Sequence, residues 1–263
     1  MKLLGRRPAF QIFAAAASAV LLVAGCTTDS PTVTTSTVTV TKEPSGSSAP
    51  ATPGATESMR EFPAGTFTAV DLSAPYALVV TIGSPTSIRA QGDPAALELL
   101  DIRVEGDTLI ATVKPNAQWP ANARVTVSVT MPTLAAARLS GSGQIRIGAL
   151  ETDLLSLEQS GSGLIEAPEI AVARLQISSS GAGKIVAAGT AGDADVRLVG
   201  SGEAALGTLT VTRAHISMAG AGSLTINATE TVRGSTAGSG GVVVTGGADC
   251  SISSIGIGDV TCG

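Results

Sequence analysis

The chain has 263 residues, of which 44% are hydrophobic, 14% charged and only 2% aromatic, and its formal net charge is −5. A mean hydropathy of +0.37 excludes an intrinsically disordered chain. The pI of about 4.9 excludes the basic surface that a nucleic-acid partner requires. A single histidine excludes a His-rich metal site, and we expect neither a bound metal nor another cofactor.

Residues 1–25 have the features of a bacterial lipoprotein signal peptide. Lys2, Arg6 and Arg7 form a positive start, and an apolar run of about a dozen residues follows, too short to span a bilayer as a stable helix. The run ends in Val-Ala-Gly-Cys at 23–26, which resembles a lipobox. This resemblance implies cleavage before Cys26 and attachment of a diacylglyceryl group, with palmitate-type acyl chains, to its sulfur. Two acyl chains anchor a protein stably, so we expect a membrane partner through the lipid and an extracytoplasmic location on the cell membrane.

Residues 26–61 have the composition of a tether. Ten Thr, six Ser and four Pro fill 20 of the 34 positions at 27–60, and such a segment buries too little apolar surface to offset its ordering entropy. Loss of the three cations of 1–25 leaves 13 basic and 21 acidic residues, a net charge of −8. Anionic lipid head groups repel such a protein, so the lipid must hold it at the membrane.

The remainder, 62–263, contains an internal repeat. A Gly-x-Gly triplet recurs at intervals of 18 to 20 residues, a period typical of stacked repeat architectures. The seven triplets begin at Gly141, Gly161, Gly181, Gly200, Gly220, Gly238 and Gly256.

The residues between the triplets alternate between apolar and polar with a period of two. Positions four before, four after and six after the first glycine are almost wholly apolar, as at Leu157, Ile165 and Ala167, and position three before it is mostly polar. This alternation predicts a strand, a glycine corner and another strand. Units this short bury an inner face only by stacking, which predicts an all-β parallel solenoid. A leucine-rich repeat, the alternative at this period, would need a recurring Asn that is missing.

The corners resemble a known family. Leu-Ser-Gly-Ser-Gly at 139–143, with strand-like segments at 67–72, 76–83 and 125–132, looks like the bacterial domain called the putative auto-transporter adhesin head, or GIN domain (DUF2807). The resemblance covers about 62–263. It implies a right-handed parallel β-helix, a location in the cell envelope and no established activity.

The charged outer residues suggest either ladder pairing or catalysis. The repeat places opposite charges one coil apart, and such pairs stabilise neighbouring strands. Four pairs are predicted: Arg138 with Glu158, Arg146 with Glu166, Lys184 with Glu203, and Asp195 with His215. The catalytic alternative is a general base at His215, oriented by Asp195 and activating Ser217. We favour ladder pairing, because Ser occurs at almost every outer position.

Trp119, the single tryptophan, lies in a predicted loop at 114–120. An exposed Trp can stack on a sugar or anchor a protein partner, so Trp119 is a possible ligand contact. The alternative, which we favour, is a ring folded over the end of the solenoid as a cap.

The remaining two thiols, Cys250 and Cys262, are predicted to form a disulfide bond. They lie six residues before and six after the last triplet, so both side chains should point into the bore of the final coil. Export places them in an oxidising compartment. The alternative is two buried free thiols that fill the bore as small apolar groups.

Together these features predict a lipid-anchored envelope module that is not an enzyme and that binds, adheres or serves as structure, with an envelope glycan or a protein as its partner. The alternative is an enzyme acting on envelope polysaccharide. A cleft of non-repeating carboxylates would favour the enzyme, whereas uniform outer columns favour the binding module.

Overall fold

The computed structural model describes residues 58–263. The predicted signal peptide at 1–25, the predicted lipidation site Cys26 and the tether up to residue 57 lie outside the described residues. None of the helices within 58–263 is long and apolar enough to cross a membrane.

Seventeen strands and one short helix make up this region. In chain order they are β1 (Ser58–Phe62), β2 (Ala69–Ser73), β3 (Ala77–Ile82), β4 (Ser87–Gly92), α1 (Pro94–Leu97), β5 (Leu100–Glu105), β6 (Thr108–Val113), β7 (Val125–Met131), β8 (Ala136–Gly141), β9 (Gln144–Ile147), β10 (Leu150–Gly161), β11 (Leu164–Gly181), β12 (Lys184–Gly200), β13 (Glu203–Gly220), β14 (Ser223–Gly238), β15 (Gly241–Thr245), β16 (Asp249–Gly256) and β17 (Val260–Cys262).

The strands form one continuous sheet wound into a β-solenoid of about six turns. From β8 onward each coil pairs in parallel with the next, and the register advances by one repeat, so that Leu157 lies beside Ala137 on one side and Ile177 on the other. The glycine triplets stack in the same way, with Gly161 beside Gly141 and Gly181. The predicted parallel solenoid is therefore confirmed.

The bore is filled by the columns that the alternation predicted as inward. Leu157, Ile165 and Ala167 are completely buried, and their counterparts in the coils from β8 to β13 are exposed by 2% or less. A buried amide also lies in the bore: Gln159 Nε2 donates to the Gly163 carbonyl at 2.6 Å, and Ser179 Oγ donates to Gln159 Oε1 at 3.2 Å. These bonds satisfy the polar groups whose burial would otherwise be costly.

Antiparallel strands cover the N-terminal end of the solenoid. β4 pairs with β7, β1 pairs with β4, and β5 pairs with β6. Between β4 and β5, Asp93 Oδ1 accepts from Ala95 N and Ala96 N at the start of α1, with Pro94 at the first helical position. The helix buries Ala96 and Leu97. Because β1 begins at Ser58, four residues predicted as tether belong to this end.

The first coils are not stacked in chain order. β2 pairs with both β6 and β8, and β3 pairs with both β7 and β9. The coil made of β2 and β3 therefore lies between the later coil of β6 and β7 and the coil of β8 and β9. As a result, the loop at 114–124, which joins β6 to β7, lies at the terminal corner of the stack.

Candidate functional site

Charged side chains on the outer surface pair between neighbouring coils. Three of the four predicted ladder pairs form: Arg138–Glu158 at 2.9 Å, Arg146–Glu166 at 3.4 Å and Lys184–Glu203 at 2.8 Å. The hydrogen bonds that Arg138 donates to the Glu158 carboxylate raise the pKa of Arg138 above its ordinary value. All three pairs are solvent-exposed, so each contributes less than about 1 kcal/mol to stability. Their main effect is to neutralise the outer charges.

The prediction of the fourth pair, Asp195 with His215, was wrong. Asp195 and His215 are register neighbours, but Asp195 Oδ1 instead lies 3.4 Å from Arg197 Nε. Arg197 follows two residues later on the same face of the same strand, and its long, fully charged side chain reaches the carboxylate.

A larger network, which the column analysis missed, joins three coils. Arg213 Nε lies 2.7 Å from Asp193 Oδ1, and Arg213 Nη1 lies 3.5 Å from Glu230 Oε2. The hydrogen bond that Arg213 Nε donates to Asp193 Oδ1 is the main cause of the raised pKa of Arg213. The register does place Asp193 beside Arg213, so this pair could have been found by extending the column comparison two residues further from the corner.

The catalytic arrangement considered for His215 does not form among residues 58–263. His215 and Ser217 are exposed, and no hydrogen bond or ion pair joins His215 to either Asp195 or Ser217. In the same range, no group of three or more His, Cys, Asp or Glu side chains is close enough to hold a metal ion. The outer face therefore carries charges arranged as pairs.

Trp119 lies at the terminal corner and contacts Tyr76. The two ring centroids are 5.6 Å apart, with a 31° angle between the ring planes. Tyr76 is buried, and its hydroxyl lies 3.3 Å from the Thr112 carbonyl oxygen. Burial, together with the negative charge of Asp101, raises the pKa of Tyr76 well above its ordinary value. Trp119, half-buried and packed against the core, thus covers Tyr76, as the cap interpretation predicts.

A shallow groove of about 390 Å³ lies beside this corner. Its lining includes Tyr76, which links it to Trp119, and polar groups from three neighbouring segments. The full lining is Pro75, Tyr76, Ala77, Ala123, Arg124, Val125, Thr126, Ser142, Gly143 and Gln144. Sequence reasoning missed this groove, since its three segments become neighbours only through the out-of-order stacking of β3 between β7 and β9.

The far end of the solenoid is closed by a disulfide between Cys250 and Cys262, with Cα atoms 6.3 Å apart. Cys250 is in register with Val232 and Cys262 with Val244, both buried in the bore. The bond therefore joins two inward columns across the last coil, as the spacing predicted.

Comparison with known proteins yields one family. A family model described as putative auto-transporter adhesin, head GIN domain (DUF2807) matches residues 66–248, well over half of the chain. No functionally curated protein matches the sequence.

Solved structures share the fold. A putative adhesin from Bacteroides fragilis is 24% identical, with 80% of this chain and 98% of that one covered and a TM-score of 0.73. A putative adhesin from Parabacteroides merdae is 19% identical, with 79% and 96% covered and a TM-score of 0.63. A putative lipid binding protein from Parabacteroides distasonis is 20% identical, with 79% and 97% covered and a TM-score of 0.61. With the stacked Gly-x-Gly corners and the family match, these likenesses lead to one conclusion: the chain belongs to the family of the putative auto-transporter adhesin head, or GIN, domain.

Proposed function

We propose that this protein is a lipid-anchored, non-catalytic binding module of the cell envelope, acting in adhesion. The observation that carries the proposal is the outer surface, a continuous sheet on which ion pairs repeat from coil to coil. Such a surface offers an extended, regular area for contact with a partner. The adhesin descriptions of the family and of two structural relatives support the same function.

The lipid anchor rests on the sequence. The lipobox-like residues at 23–26 follow a short apolar run, and the Thr/Ser/Pro-rich segment at 26–61 would hold the domain away from the membrane. As a coil, this tether would span roughly 30 Å. Attachment through Cys26 would thus present the solenoid on the extracytoplasmic face, despite the net negative charge of the chain.

The anchor is tested by Cys26→Ala, with Thr28→Ala as the matched control two residues away. We expect Cys26→Ala to release the protein from the membrane fraction or to leave an unprocessed precursor of higher mass. Thr28→Ala should remain membrane-bound like the unmodified chain. Normal processing and membrane retention of Cys26→Ala would contradict the anchor.

The binding function is tested on intact cells. Cells that display the full chain should adhere to immobilised envelope polysaccharide or to neighbouring cells more than cells that lack it, and the polysaccharide should remain intact. Equal adhesion of both cell types would refute a binding role. Release of new reducing ends from the polysaccharide would establish the alternative, an enzyme acting on it.

A further inference from the structure

The groove beside the terminal corner is built from three neighbouring strands. In the outward row nearest the corner, Ala77 of β3 lies between Thr126 of β7 and Gln144 of β9. Two residues earlier in the same segments come Arg124, Pro75 and Ser142, which also line the groove. The middle segment thus contributes short or compact side chains and forms the floor, while longer polar side chains rise on both sides.

The dimensions follow from sheet geometry. Neighbouring strands lie about 4.8 Å apart, so the two walls are about 10 Å apart, and two residues along a strand extend about 7 Å. Arg124, Thr126 and Ser142 are exposed, and Gln144 is half-buried. This footprint matches a small cyclic ligand such as one sugar ring. The Thr126 hydroxyl on one wall, and the Ser142 hydroxyl and the Gln144 amide oxygen on the other, are available for hydrogen bonds, while Gln144 Nε2 donates to Glu166 Oε2 at 2.8 Å.

Arg124 supplies a positive charge without a carboxylate partner. Within residues 58–263, seven cations form ion pairs, namely Arg89, Arg103, Arg138, Arg146, Lys184, Arg197 and Arg213. No ion pair involves Arg124 in this range. In a chain whose net charge is negative, an unpaired guanidinium at the edge of a polar groove favours an anionic ligand, because Arg binds carboxylates through two parallel hydrogen bonds.

The loop that leads to Arg124 contains two tight turns at residues with positive φ. Asn116 and Asn122 have φ values of 62° and 66°, and they are the only non-glycine residues with positive φ among residues 58–263. Both lie in the loop at 114–124, where Trp119 stacks on Tyr76. Asn adopts this conformation readily in tight turns, and two backbone bonds close the turns: Ala117 N donates to the Lys114 carbonyl at 3.1 Å, and Ala123 N donates to the Pro120 carbonyl at 3.2 Å. The loop therefore holds one wall of the groove in place.

We propose that this groove binds a carboxylate-bearing saccharide. Arg124 pairs with the carboxylate, Thr126, Ser142 and Gln144 hydrogen-bond the sugar hydroxyls, and the ring lies over Ala77 and Pro75. Trp119 acts as a positioning residue, since it contacts Tyr76 and fixes the loop. The inference rests on the proposed binding function and names its ligand class: an acidic glycan of the envelope or of a neighbouring cell.

The test is a titration of the full mature chain, solubilised in detergent, with tetragalacturonate and with a neutral galactose tetrasaccharide as probes. We expect the acidic probe to bind and the neutral probe to bind at least about tenfold more weakly, a difference of about 1.4 kcal/mol. Arg124→Ala should lose the same factor. Ala77→Gln, which fills the floor of the groove, should also weaken binding at least about tenfold.

Arg174→Ala is the matched control. Arg174 is likewise exposed, forms no ion pair within residues 58–263 and lies outside the groove, so its loss changes the net charge equally. Binding by this variant should stay within about twofold of the unmodified chain. Because Arg124 and Arg174 are surface residues, both variants should melt as the unmodified chain does.

Three results would overturn the inference: no binding of tetragalacturonate, equal binding of both probes, or equal affinities of Arg124→Ala and Arg174→Ala. The cell-adhesion experiment keeps this failure separate from that of the proposed function. If Arg124→Ala cells adhere as well as unmodified cells, and better than cells without the protein, the groove is refuted while the adhesive function stands.

Discussion

The stacked glycine corners give a quantitative prediction for Gly200→Ala. Gly200 has φ = +113°, a conformation that L side chains rarely adopt. A Cβ atom at this position would lie 2.6 Å from the Gly181 carbonyl oxygen of the preceding coil, whereas ordinary contacts begin at 3.4 Å. The coils would therefore have to separate locally by about 0.8 Å, since the nearest atoms are backbone and cannot rotate away.

The cost of this separation follows from the bonds at the corner. The Gly181 carbonyl accepts from Ser201 N at 2.9 Å, and a displacement of about 0.8 Å takes that bond beyond hydrogen-bonding range. Losing it costs about 1 kcal/mol, the backbone conformation adds about 1–2 kcal/mol, and the overlap adds about 1–3 kcal/mol. Gly200→Ala should therefore reduce the free energy of unfolding by about 3–6 kcal/mol.

Two control substitutions separate the steric cost from the conformational one. Gly106 has φ = +59° with nothing within 4 Å of an added Cβ, so Gly106→Ala should cost about 1–2 kcal/mol. Gly65 has no positive φ, and its nearest neighbour is 3.6 Å away, so Gly65→Ala should be close to neutral. Urea and thermal unfolding of the purified chains measure all three, with a shift in Tm on the order of 10 °C for Gly200→Ala. Equal losses for Gly200→Ala and Gly106→Ala would refute the argument from coil spacing.

Two further predictions concern the ends of the solenoid. Cys250→Ser should lower the free energy of unfolding by about 3 kcal/mol, because the disulfide closes a loop with a sequence separation of 12. In intact-mass analysis, the unreduced mature chain should take up no alkylating reagent. Uptake of two alkyl groups would contradict the disulfide. At the other end, the pKa of Tyr76 is higher in the folded chain than in the unfolded chain. The contribution of Tyr76 to the free energy of unfolding is therefore fully present below the ordinary tyrosine pKa of about 10, and it is lost as the pH rises above that value. Tyr76 is the chain's single tyrosine, so phenolate absorbance follows it alone; ionisation at the same pH in the folded and urea-unfolded chains would disprove the shift, and Tyr76→Phe should remove this alkaline loss.

Much of the fold could be predicted from local patterns. The Gly-x-Gly spacing identified the corners, and the period of two assigned Ile165 to the bore and Arg138 to the surface, as the structure confirms. The disulfide could be predicted from the same period of two, since Cys250 and Cys262 both lie at even offsets from the last triplet, where side chains point into the bore. These features are readable because, in a repeat, sequence spacing alone sets which residues become neighbours.

The candidate groove could not be predicted from local patterns. Its floor at Ala77 and its walls at Thr126 and Gln144 are separated by tens of residues, and they meet only because β3 inserts between β7 and β9. Likewise, the strand register places His215 beside Asp195, but the Asp195 carboxylate pairs with Arg197 on its own strand. The amino-acid sequence by itself thus determined the coil, its inside and its outside, because alternation and spacing are local. Only the tertiary structure decided the order of the first coils and hence the groove, because parallel pairing between distant segments depends on packing that no local pattern records.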